Sequence, residues 1–436
     1  MVSGKNRHLS LFAAVSLVIS SMVGTGVFTS LGYQLVDIQS VFALLMLWLI
    51  GGVISLFGAL SYCELASALP KSGGEYYLLS RILHPSIGLS AGLVSATVGF
   101  SAPAVLAAIA LASYLNPIVP FINIKIVAIF VILSMNFMHA YSLDTGKSFQ
   151  VWSTFLKLLI IFSFVSIGLL FDNKQSISFI PRSEDFGILF SPEFAVNLVW
   201  VSYAYAGWNS SIYVVGEIIQ PNKNIFRSIL IGTLIVTALY VLLNYVFLLI
   251  SPIDALMGKI EIGYISSINL FGLKTAKIVS FFIGLLLLST VSSYVYIGPR
   301  IIQAIGKDYE KIKFLSKVNK QGVPLNAFSL QLFISLIFII SSTFEEVMLY
   351  TGIILIITTS ITVCSLIYLR IKEPNLKRVY KVWGYPFTPI IFIILNTWIL
   401  YYTIRLQPFE SLIGVCLIVI SLGLYLLIKT ETYSEA

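Results

Sequence analysis

The chain has 436 residues, of which 58% are hydrophobic and 11% charged, with a formal net charge of +8 at pH 7. Its mean hydropathy of +0.95 excludes an ordinary soluble globule and indicates a polytopic membrane protein. Positive charge placed in loops between apolar runs is a feature of membrane topology, so no nucleic-acid surface is read from it.

A helix needs about 20 apolar residues to cross a bilayer. Twelve segments meet or approach that length, near 9–35, 41–69, 87–115, 123–140, 144–171, 193–219, 225–251, 274–305, 325–343, 347–370, 386–405 and 410–429. The first follows a basic start, Lys5 and Arg7, and lacks a small-residue cleavage site, so it is expected to be a retained span. In its middle stands Ser20-Ser21-Met22-Val23-Gly24-Thr25-Gly26-Val27-Phe28, a polar interruption carrying two glycines. Unpartnered backbone groups are costly in hydrocarbon, so such a break is tolerated only inside protein or along a cavity. It would leave one half-helix offering carbonyls and the other offering the N–H groups of Gly24, Thr25 and Gly26. A ligand carrying both an ammonium and a carboxylate matches that pair of ends. Small residues that merely let helices pack usually sit four apart, whereas Gly24 and Gly26 are two apart.

Lys157 lies in the fifth segment, about 20 Å from either end of its span. A midplane lysine costs at least about 2.5 kcal/mol on insertion scales and is therefore expected to face protein partners. The candidate partners are the hydroxyls of Ser289, Thr290, Ser292 and Ser293 in the eighth segment, with carbonyls freed by the first break. Two roles are open to it, a group that takes and releases a proton during a working cycle and a fixed cation that props helices together.

The sixth segment holds a second interruption, Tyr203-Ala204-Tyr205-Ala206-Gly207-Trp208-Asn209-Ser210-Ser211. Trp208 sits too deep in its segment for an interfacial belt residue. The second break comes five spans after the first, so a second copy of a five-span unit would enter the membrane from the opposite side, the pattern of inverted-repeat transporters. The organisation read from this is a first repeat over 1–171, a second over 193–370, and two closing spans with a short tail over 386–436. Lys307, Lys311, Lys313, Lys317, Lys320, Arg370, Lys372, Lys377, Arg378 and Lys381 fall on one side, against Lys125, Lys174, Arg182, Lys259, Lys274, Lys277 and Arg405 on the other. The richer side is expected to be cytoplasmic and to carry both termini.

Cys63, Cys364 and Cys416 fall in apolar runs, and His8, His84 and His139 are scattered. No disulfide framework, metal site or cofactor is expected. No Walker-type loop points to ATP.

Several stretches then combine into one pattern. They are Val23-Gly24-Thr25-Gly26-Val27-Phe28; Tyr62-Cys63-Glu64-Leu65 with Leu69-Pro70-Lys71-Ser72-Gly73-Gly74-Glu75-Tyr76; Gly146, Gln150, Thr154 and Lys157; Gly207-Trp208-Asn209, Gly216-Glu217-Ile218, Pro221 and Asn224-Ile225; and Gly298-Pro299-Arg300, Lys307-Asp308 and Gly322-Val323-Pro324-Leu325-Asn326-Ala327. In this order they resemble the amino acid permeases of the APC (amino acid, polyamine, organocation) superfamily. The resemblance runs from the first through the tenth span. It departs around Pro85 and at Ala206, where the family commonly has glycine, and at Phe226, where it often has proline.

The resemblance implies an all-α integral membrane fold of 12 transmembrane helices, a LeuT-like 5+5 inverted repeat with broken helices 1 and 6, plus two C-terminal helices. It also implies alternating-access transport of an amino acid, with Gly24, Thr25 and Gly26 donating to the substrate carboxylate and carbonyls near Met22, Tyr203, Ala204 and Ala206 receiving the amine. Tyr203 stands at the gating aromatic position with Trp208 close by, Asn209 is a polar pocket residue, and Lys157 takes the place a sodium ion holds elsewhere. Neither break contains a carboxylate, which favours neutral amino acids. Proton-coupled symport and sodium-independent exchange both fit, with polyamine or cationic exchange as an alternative. Outside transport, a non-transporting amino acid sensor would keep the same binding residues, while a membrane enzyme would need a His, Asp or Glu cluster that is not seen. The expected partners are the amino acid and the lipid bilayer. The short loop 116–121 has no cysteine for a disulfide-linked accessory subunit. The expected location is the cell membrane.

Overall fold

The structure, a computed structural model, describes residues 9–71, 73–141, 145–172, 174–213, 218–320 and 322–428, without the side chains of 141, 145–154, 213 and 222. Ser72, Gly216, Glu217 and the terminal basic residues Lys5, Arg7 and Lys429 lie outside the described residues, as do the side chains of Gln150 and Thr154.

Eighteen α-helices carry the described chain. They are α1 (Leu11–Met22), α2 (Gly26–Asp37), α3 (Val41–Ala68), α4 (Gly74–Ile82), α5 (Pro85–Val94), α6 (Ser101–Leu115), α7 (Ile124–Tyr141), α8 (Thr145–Leu170) and α9 (Ser183–Ile188), then α10 (Pro192–Ala204), α11 (Ser210–Tyr213), α12 (Pro221–Ile250), α13 (Ile253–Leu256), α14 (Ile262–Asp308), α15 (Leu325–Ser341), α16 (Phe344–Lys372), α17 (Phe387–Leu406) and α18 (Pro408–Ile428). Among the described residues no strand forms; one isolated bridge joins Leu9 to Ile218. Eight helical stretches are long and apolar enough to cross a membrane, and three shorter apolar ones, Ile124–Ala140, Phe155–Leu170 and Leu325–Ser341, accompany them.

The sequence stops and starts these helices in recognisable ways. Ser10 and Ser40 cap α1 and α3 by accepting the amides of Ala13 and Ala43, and Thr343 with Glu346 forms a capping box at α16. Two expected spans depart from a regular helix. The segment 87–115 is split by a π-helical turn, Ser95–Gly99, so that α6 restarts at Ser101. The stretch Ile262–Asp308 is two helices meeting at Gly272, whose φ 74° and ψ 169° are not helical, so the second starts where the expected span 274–305 does and a further helix from Ile262 precedes it. Both irregularities come from backbone geometry that hydrophobicity does not encode.

Packing places the two interrupted segments at the centre. α12 lies against both α1 and α3, α10 against α2, α3, α16 and α17, and α14 against α6, α7 and α8. The core is continuous around α1, α2, α3, α6, α10 and α12. Outward-facing Phe130, Phe137, Phe162 and Leu426 are exposed, as expected where lipid replaces water.

One polar lock holds the basic end. The Glu64 carboxylate on α3 is fully buried; Arg370 of α16 grips it through Nε at 2.7 Å and Nη2 at 2.5 Å, and the Val382 amide donates at 2.7 Å. Arg378 lies 3.3 Å away and also caps the α16 carbonyl end through Leu369 and Glu373. The segment 373–386 is thereby strapped across α3 and α12, with Tyr380 and Trp383 packed on Phe226.

Removing one side of a buried, fully bonded ion pair costs about 3–5 kcal/mol, because the other charge is left uncompensated. Glu64→Gln is therefore expected to lower the apparent Tm of the detergent-purified protein clearly, and Glu64→Gln combined with Arg370→Met to recover part of the loss. Thermal unfolding of the three proteins checks this.

Candidate functional site

α1 ends because its last amide bond runs from Val23 N–H to Ile19 O at 2.9 Å, after which Val23 turns extended at ψ 93°. α2 begins at Gly26, and the first amide bonded beyond the break is that of Phe28, which donates to Thr25 O at 3.0 Å. Among the described residues no backbone carbonyl accepts the amides of Gly24, Thr25 or Gly26, and the Gly24 amide donates to the Tyr240 hydroxyl oxygen. Thr25 and Gly26 are buried, so these donors cannot be relieved by open solvent and stand ready for an anionic group.

The second interruption lies against the first. α10 ends at Ala204, and Gly207 adopts φ 107°. A Cβ at Gly207 would sit 2.6 Å from Ser21 O, and one at Gly26 would sit 2.5 Å from both Cα and Cβ of Ala204. Both glycines are thus needed for close approach of the two breaks, and Gly207 also for its positive φ.

Tyr240 of α12 joins the two helix ends. Its fully buried hydroxyl is 2.6 Å from Met22 O and 3.1 Å from Ala204 O, so one O–H proton is shared between the terminal carbonyls of α1 and α10. Lys157 reaches the first break from α8. Its buried Nζ donates to Thr290 Oγ1 at 2.8 Å and to Val23 O at 3.3 Å.

The remaining sequence-derived residues divide. Of the four hydroxyls considered for Lys157, only Thr290 bonds it. Ser289 donates to Leu286 O and Ser293 to Ser289 O within α14, and Ser292 pairs with His139 Nε2 at 2.8 Å. Met22, Gly24, Thr25, Gly26, Tyr203 and Ala204 come together where the two breaks meet. The Tyr203 carbonyl, however, already accepts the Ala206 amide at 3.0 Å, while its hydroxyl lies beside that of Thr25. Asn209 turns away toward α4, where its Nδ2 donates to Glu75 Oε1 at 2.8 Å; Tyr62 O–H reaches the same oxygen at 3.2 Å. Trp208 meets the Tyr62 ring edge-on, centroids 4.9 Å apart.

Tyr240, Glu75, Tyr62 and His139 were given no site role by sequence reasoning. For Tyr240 a signal existed, since a phenol in the middle of the run 225–251 needs a partner when buried. Glu75 and Tyr62 were visible only as parts of motifs.

A family model described as amino acid permease matches residues 9–423. The chain belongs to the amino acid permease family. Similar proteins include the large neutral amino acids transporter small subunit 2 of Mus musculus, 24% identical over 97% of this chain and 81% of the relative. The cystine/glutamate transporter of Homo sapiens is 26% identical over 94% of this chain and 82% of its own length, and the b(0,+)-type amino acid transporter 1 of Mus musculus 26% over 97% and 88%. This permease is a transporter rather than an enzyme, and its fold is that of a multi-pass membrane protein.

Two substitutions test the junction of the breaks. Gly26→Ala drives a methyl into the backbone of α10, an overpacking worth about 1–3 kcal/mol, and is expected to depress transport strongly. Tyr240→Phe leaves two carbonyls short of a donor, a loss of about 1–3 kcal/mol, and is expected to raise KM for transport while the protein still purifies as a folded species. Uptake kinetics and size-exclusion profiles of the two variants decide.

Proposed function

We propose that this permease carries neutral α-amino acids across the cell membrane by alternating access, without sodium. The observation that carries the reading is the run of three consecutive amides, Gly24, Thr25 and Gly26, with no backbone acceptor, beside the carbonyl ends of α1 and α10. A substrate carboxylate satisfies the amides, and its ammonium takes the remaining lone pairs at Met22, Ala204 and Ala206. Tyr203 covers the bound molecule, and Trp208 with Asn209 forms the adjoining gate by way of Tyr62 and Glu75. The printed names of the relatives, neutral, cystine/glutamate and b(0,+)-type amino acid transporters, support the substrate class at the level of amino acids.

In this reading the helices form 12 spans, with 1–171 and 193–370 as two inverted five-span repeats, 386–436 as a closing pair with its tail, and α1/α2 and α10/α11 as the broken first and sixth spans. The basic end, including 307–320 and 370–381, faces the cytoplasm with both termini. Sodium independence follows from Lys157. Its ammonium already bonds Val23 O and Thr290 Oγ1, and a second cation there would meet an unscreened like charge in a medium of low dielectric. The loop 116–121 offers no thiol, so no disulfide-linked partner is part of this proposal.

The experiment is uptake of labelled neutral amino acids by proteoliposomes of the purified protein, in sodium and in choline buffer, with empty and preloaded vesicles, and with or without an inward proton gradient. Equal uptake in both buffers is expected. Accumulation in empty vesicles under the proton gradient marks symport; uptake that needs preloading marks exchange. Absence of any amino acid flux overturns the proposal. Lys157→Met, similar in volume but uncharged, leaves Val23 O and Thr290 without a donor and is expected to cut uptake about tenfold or more.

A further inference from the structure

A cleft of about 40 Å³ lies toward the basic end of the molecule, lined by no residue of either break. It is bounded by Ala96 and Thr97 of the π-turn, Ile302 of α14, Ile312 of the 3-10 helix Glu310–Ser316, and Leu330 and Ile334 of α15. The space is several times the roughly 10–15 Å³ that one water needs, yet it offers water almost nothing to bond. The one hydroxyl among the lining residues, that of Thr97, is turned back onto Leu93 O at 2.8 Å. Such a cleft suits hydrocarbon.

Its depth is that of acyl chains. Ile302 stands about 9 Å from the end of α14 at Asp308, and Leu330 about 8 Å from the start of α15 at Leu325, counting 1.5 Å per residue. Apolar groups held at a membrane interface lie about 5–10 Å below the headgroups. Phe333 and Ile337 of α15 are exposed beside Leu330 and Ile334, so the cleft opens on a face that lipid covers. The level above it, where the helices end, is basic. Residues 307–320 hold five lysines against two carboxylates. Both carboxylates are engaged, Asp308 by the Tyr76 hydroxyl at 2.7 Å and Glu310 by Lys313 at 2.9 Å. Lys311 donates to Leu427 O at the end of α18, at 2.7 Å. Lys307 and Lys317 are exposed and form no ion pair among the described residues, and Phe314 and Val318 stand exposed on the same segment.

We propose that this cleft binds an anionic phospholipid of the phosphatidylglycerol class, with one acyl chain lying between the π-turn and α15 and the phosphate held by Lys307 and Lys317. The inference does not depend on which solute is carried. The lysines select the headgroup and the dry cleft selects a chain. A soluble phosphate meets only the first need, and a neutral lipid only the second. A lysine close to an anionic headgroup surface contributes about fivefold in binding, so the pair together contributes about twentyfold or more.

The test uses the full chain carrying Phe314→Trp as a fluorescent reporter, in phosphatidylcholine vesicles containing a minor share of either acyl-brominated phosphatidylglycerol or acyl-brominated phosphatidylcholine. Bromine quenches the reporter on contact, and the protein without Phe314→Trp supplies the background. Half-quenching is expected at a mole fraction about tenfold lower for phosphatidylglycerol. Equal quenching by the two lipids overturns the proposal. Lys307→Gln with Lys317→Gln should remove most of the preference, whereas Lys372→Gln with Lys377→Gln, at exposed lysines outside the cleft, should keep it. Equal loss from both pairs marks a general attraction to the basic end and overturns a site. Ala96→Leu fills the cleft and should remove the preference in a protein that still elutes as a single folded species; a preference that survives overturns the seated chain. If Ala96→Leu does not fold, Leu330→Gln, which makes the half-buried mouth polar, decides in the same way.

Discussion

A main-chain amide or carbonyl without a partner is expensive inside a membrane protein, and the centre of this molecule is arranged around two places where helices stop short of satisfying their own. At the end of α1 and the end of α10 the liberated carbonyls receive donors from elsewhere: the Tyr240 hydroxyl serves Met22 and Ala204, and the Lys157 ammonium serves Val23. The amides at the start of α2 receive none from the backbone. The Gly24 amide bonds the Tyr240 hydroxyl oxygen, so one phenol serves groups on both sides of the first break.

The supports come from helices distant in sequence, which makes the junction sensitive to how those helices pack. α12 lies against α1 and α3, and α8 lies against α14, so Tyr240 and Lys157 arrive from different sides. Gly26 and Gly207 allow the two breaks to touch. A shift of α12 would alter hydrogen bonds to both helix ends at once. At the basic end, by contrast, Glu64 is held by two arginines and a backbone amide. Two residues before it, Tyr62 bonds Glu75, which holds Asn209 at the second break. The lock at Glu64 and the contact to the second break therefore share one turn of α3.

Much of the fold was legible without coordinates. Most apolar runs located helices to within a few residues, and the first interruption, read over Ser20 to Phe28, contains the stop between Met22 and Gly26. The second was read around Tyr203 to Ser211, and α10 ends within it at Ala204. Legibility failed where backbone geometry rather than polarity was at issue, as at the π-turn Ser95–Gly99 and the Gly272 kink. It also failed in apportioning hydroxyls. Ser289, Thr290, Ser292 and Ser293 are equally polar in sequence, yet helix rotation gives Lys157 only to Thr290, hands Ser292 to His139, and turns Ser289 and Ser293 back onto their own helix.

By itself the sequence determined that this is a membrane protein, that two of its helices break mid-run, that a lysine is buried near one break, and that its ordered motifs are those of an amino acid permease. The first three follow from composition, periodicity and the cost of polar groups in hydrocarbon, all of which act locally along the chain, and the last is a resemblance of motifs. Only the tertiary structure decided that Tyr240 bridges the two helix ends and that Asn209 bonds Glu75 of α4. Each of these depends on the rotation and approach of helices more than 30 residues apart. No local pattern specifies such contacts, because they are settled by packing the whole bundle.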